Sequence, residues 1–109
     1  MRPNSLALAV LASAVMLATR AEALDGKDLQ NLTATVHEMC VQPDRKGSYL
    51  KVDGDLNAGA ILTVVGVKGE GKITKEDWEG ISQRLDQYKT DPRACAIQVL
   101  GILIPAFGK

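Results

Sequence analysis

The chain predicts a small single α+β domain: a short β-meander packed by about three helices and closed by one disulfide. Three features point there. Ile61, Thr63, Val64, Val65 and Val67 crowd the stretch from Ala60 to Val67, with Gly59 before it and Gly66 near its end. That β-branched density favours a buried strand. Apolar residues recur at helical spacing on both sides of this stretch. Two cysteines, Cys40 and Cys95, stand 55 positions apart behind an export signal.

The N-terminal segment sets the compartment. Arg2 gives a basic start, Leu6 to Ala18 carries no charge, and Ala21-Glu22-Ala23 offers small residues at a cleavage position. This is the pattern of a secretory signal peptide. Residues 1–23 are therefore expected to be removed, leaving 24–109 as one exported domain, secreted or periplasmic. The apolar run is shorter than the roughly 20 residues a spanning helix needs, so no membrane span is expected after cleavage. Paired thiols are the norm in an oxidising compartment. A loop of this length closed by a Cys40–Cys95 bond stabilises by about 4 kcal/mol in the chain-entropy model.

Along the exported part, Leu29, Leu32, Val36, Met39 and Cys40 form a helical stripe, with Asp25 and Asp28 at its start where acids suit the helix dipole. Gln42 to Gly47 reads as a polar turn, Ser48 to Val52 as a short strand, and Asp53-Gly54-Asp55 as its break. Lys72-Ile73-Thr74 is expected as a third strand. Thr74 then caps a helix, with Asp77 in the position of a capping-box acid. Trp78, Ile81, Leu85 and Tyr88 line one face of that helix. Asp91-Pro92 opens a last helix, apolar nearly all round from Ala94 to Ile104 and expected to be buried at the centre and to end at Pro105. The expected core is Leu29, Leu32, Val36, Leu50, Val52, Ile61, Val64, Trp78, Ile81, Leu85, Ile97, Leu100 and Ile104.

Composition excludes more than it identifies. Of 109 residues, 13 are Lys or Arg and 13 Asp or Glu, a formal net charge of zero. Nucleic-acid binders are usually basic, so none is expected as partner. His37 is the only histidine, and neither Cys-x-x-Cys nor a histidine cluster suggests a metal site. No cofactor is expected.

Two segments imitate ligand loops. Gly66 to Lys72 fits the opening of a phosphate-binding P-loop, but Ile73 stands where a magnesium-binding Ser or Thr is required. Gly71 to Trp78 resembles the second half of an EF-hand calcium loop, with Gly71, Ile73, Asp77 and Trp78 in the glycine, aliphatic, closing-acid and exiting-helix positions. The EF-hand resemblance implies an all-helical alternative fold, in which Asp55 to Val65 is the entering helix. Gly66 and Lys68 then occupy positions where the ion needs oxygen ligands. Asp53, Asp55 and Asn57 make a second oxygen-rich cluster.

By exclusion, the expected function is a non-enzymatic interaction or structural module with an unknown protein partner. The rival is a small ion- or ligand-binding protein using the Asp53/Asp55 turn or the Gly69–Asp77 loop. Asp53, Asp55 and Trp78 are the candidate contacts. A thiol enzyme would need Cys40 free, with His37 as its base.

Overall fold

The computed structural model describes residues 24–108; the expected signal segment lies outside them. Helix α1 spans Gly26–Val41. The Asp25 carboxylate accepts the Asp28 N–H at 2.7 Å and caps it. Leu32, Val36, Met39 and Cys40 point into the core. The expected polar turn is instead a 3-10 turn, Pro43–Arg45, followed by one helical turn, α2, Lys46–Tyr49. The first strand consequently starts at Leu50 rather than Ser48.

Strands β1 (Leu50–Asp53), β2 (Ala60–Val64) and β3 (Gly71–Ile73) form an antiparallel meander in the order β1-β2-β3. Leu50 pairs with Val64, and Ala60 with Ile73. Strand β2 stops at Val64 rather than Val67, because Gly66 turns the chain at φ +82°. Helix α3 runs Lys75–Gln87 behind the expected Thr74–Asp77 capping box, and α4 runs Pro92–Phe107 behind Asp91. The fold is α+β, with three long helices and the short α2. The all-helical alternative fails: residues 60–64 are a strand, and only the 3-10 turn Leu56–Ala58 precedes them, so no EF-hand entering helix exists.

The core lies between one face of the sheet and the helices, with α4 packed against α1, α3 and β3. Cys40 and Cys95 are bonded to each other and buried, joining the end of α1 to the first turns of α4.

Four expected core residues are exposed: Leu29, Ile61, Ile97 and Ile104. Side chains alternate along a strand, so a β2 that buries Ala60, Leu62 and Val64 must turn Ile61 outward. At the start of α1, Asp28 takes the buried position that Leu29 was expected to fill. On α4 the inward stripe is Cys95, Ala96, Val99, Leu103, Ala106 and Phe107. Three packed neighbours cover only part of the helix circumference, and Ile97 and Ile104 fall on the remainder. Pro105 does not end α4. The helix continues to Phe107, since a proline in the last turn removes one hydrogen bond without blocking the residues that follow.

Candidate functional site

The glycine-rich loop between β2 and β3 is held by one of the protein's own carboxylates. The buried Asp28 carboxylate accepts the Lys68 N–H at 3.1 Å, and the Thr35 hydroxyl donates to the Val65 carbonyl at 2.8 Å. A phosphate cradle needs backbone N–H groups free to point at the ligand. Here the loop leads into β3, not into a helix, and the Val67 N–H is held by the Val64 carbonyl. Residues 65–70 are a hairpin connection pinned to α1, and Gly71 and Lys72 already belong to β3.

The second half of the calcium-like segment is likewise committed to structure. Thr74 and Asp77 bond each other's backbone N–H at 3.2 and 3.3 Å. Asp53 ends β1 on the exposed side. Asp55, also exposed, accepts the Asn57 N–H at 3.0 Å and caps the 3-10 turn. Among the described residues no three His, Cys, Asp or Glu side chains gather as a metal site. His37 is exposed on α1, and its neighbour Cys40 carries no thiol, being bonded to Cys95.

Trp78 has a partner that sequence spacing did not reveal. The Lys46 ammonium lies 4.1 Å from the centroid of its ring and donates to the Ser82 hydroxyl. A cation over an indole face is attracted by the ring quadrupole. Burial holds the Lys46 pKa below its ordinary value of 10.5. A cleft of about 270 Å³ adjoins the group, lined by Pro43, Asp44, Leu85, Asp86 and Lys89 beside Lys46 and Ser82. A serine–lysine pair is a nucleophile and base in some hydrolases. Ser82 sits mid-helix, however, where the backbone N–H groups are spent in α3 and none is free to hold an oxyanion. What the cluster does is tie α2 to α3 across 36 positions of sequence. The sequence offered Trp78 as a candidate contact and Lys46 only as a residue of a polar turn, because α2 itself was not legible.

Leu29, Val41, Ile61 and Val65 are exposed apolar side chains on other elements, and two more share the outer face of α4. Ile97 is 65 % exposed and Ile104 41 %. Gly101, exposed, lies between them, and a Cβ built on it would meet nothing within 4 Å. From Ala94 to Gly108 the helix carries no charged residue, and Gln98 is the one hydrogen-bonding side chain. No helix of the described residues is long and apolar enough to cross a membrane. Compared with known protein families, curated proteins and solved structures, the chain matches none.

Proposed function

We propose that this protein is a small exported, non-enzymatic interaction module whose contact surface is the outer face of α4. One observation carries the proposal. A helix that already buries one stripe presents a second apolar stripe, Ile97–Gly101–Ile104, to solvent. Single exposed apolar residues are ordinary, but a contiguous row along one helix is the mark of a docking surface. The buried Cys40–Cys95 bond supports an oxidising destination, as the signal-like segment does. A disulfide-stapled framework also presents that face on a rigid support. The rival, ion or ligand binding at Asp53 and Asp55, predicts a rise in melting temperature of several degrees in saturating calcium; the interaction module predicts none.

A photo-crosslinking residue placed at Ile97 or Ile104, in protein recovered from the exported fraction, tests the surface. Adducts should form from both positions and not from Gln87, an exposed position on α3. No adduct from either isoleucine would refute the proposal.

A further inference from the structure

The pattern on α4 identifies the kind of partner that fits it, and this step rests on the outer face of α4 being a contact surface. We infer that the occupant is a second copy of this chain, packed through α4 against α4 in antiparallel orientation about a two-fold axis at Gly101.

The face is close to self-complementary. Counted from Gly101, Ile97 lies four residues toward the N-terminus and Ile104 three toward the C-terminus. At about 1.5 Å rise per residue these are offsets of about 6 and 4.5 Å. Two such helices crossed antiparallel at Gly101 bring each Ile97 onto the other's Ile104. A two-fold interface requires that reciprocity, residue i on j and j on i. The parallel arrangement puts Ile97 on Ile97 and leaves two like-charged Arg93 side chains together.

Gly101 supplies the close approach. Glycine inside a helix is unfavourable relative to alanine by roughly 1 kcal/mol. Among the described residues nothing requires it, because a methyl group there meets open space. A second helix backbone crossing at that point does require it.

Charge complements the same orientation. Among the described residues the last turn of α4 has no basic side chain, and a cation beside its carbonyl end, the negative pole of the helix dipole, is favourable. The exposed Arg93 stands eight residues before Gly101, and in the antiparallel pair it falls beside the C-terminal end of the other α4. Each copy thus places a cation beside the other's helix end.

A single helix face covers less than the roughly 800 Å² per partner of a standard interface, so the association is weak and depends on concentration. Sedimentation equilibrium of the exported protein should show the average mass rising from one chain toward two between about 10 μM and 1 mM. Ile97→Asp and Gly101→Leu should hold it at one chain, with unchanged circular dichroism. Leu29→Ser, which removes an exposed apolar side chain from α1 instead, should behave as the unaltered protein. A mass of one chain throughout, or association that survives both α4 variants, overturns the two-fold pair. The crosslinks at Ile97 then separate the two failures: an adduct with another protein removes the second copy but keeps the contact surface, whereas no adduct removes both.

Discussion

The inner and outer faces of α4 are built from the same residue types and have opposite fates. Val99 and Leu103 are fully buried, while Ile97 and Ile104, each within two residues of one of them, stand 65 % and 41 % exposed. The inward stripe touches α1, α3 and β3, is bonded to α1 through Cys95, and gives the sheet something to pack on. The outward stripe is exposed at Ile97 and Ile104 and faces open space at Gly101. Apolar residues alone therefore do not say which side of a helix faces the core. The packed neighbours decide, and a helix apolar all round in sequence had room for both a core face and a contact face.

The comparison can be broken hardest from the inside. Cys95→Ser or Cys40→Ser opens the same long loop, and each should lower unfolding free energy by about 2–5 kcal/mol, read as a large drop in the denaturant midpoint. Leu103→Ala should lose a similar amount, about 2–5 kcal/mol, from lost burial and the cavity left behind.

Two glycines sharpen the contrast. A Cβ on Gly71 would lie 3.1 Å from the Ala106 carbonyl oxygen and 3.3 Å from its carbon, both backbone atoms of α4. Gly71→Ala requires the β3–α4 contact to open by a few tenths of an ångström against backbone atoms and should cost about 1–3 kcal/mol. Gly101→Ala fills open space on an exposed helix interior and should raise unfolding free energy by about 0.4–1 kcal/mol. The two substitutions are chemically identical, and thermal denaturation should move in opposite directions.

Much of this architecture was legible in the chain, for physical reasons that also explain what was not. The caps at Asp25, Thr74 and Asp91 are local, each set by a side chain reaching a backbone N–H three residues on, and the sequence shows the helix starts at Thr74 and Asp91 for that reason. The helical stripes, apart from Leu29, and the existence of the meander were legible for the same reason. The faces were harder. Ile61 and Val64 were both expected inside, although a strand cannot point residues three apart to the same side. On α4, periodicity carried no signal because nearly every position was apolar. The Lys46–Trp78–Ser82 cluster was invisible because it joins segments 36 positions apart through a helical turn with no apolar period.

The smallest expected effect concerns that cluster. Burial lowers the Lys46 pKa, so its charge costs the folded state, and the cost is complete below the lowered value. As pH rises from the lowered value to 10.5, the folded form sheds the proton first and the cost fades. The midpoint of the unaltered protein should therefore gain on that of Lys46→Met over this window. An equal pH response in the two would show that Lys46 titrates normally.

The central claim is that α4 has one face for the fold and one for a partner. Denaturant midpoints of Ile97→Asp and Val99→Ala, measured side by side at a concentration where a single chain predominates, test it most directly. Val99→Ala should lose on the order of 2 kcal/mol from the core. Ile97→Asp, although it introduces a charge into the most apolar helix among the described residues, should stay within about 0.5 kcal/mol of the unaltered protein. A loss at Ile97 as large as that at Val99 would mean that both faces are core, and would contradict the account.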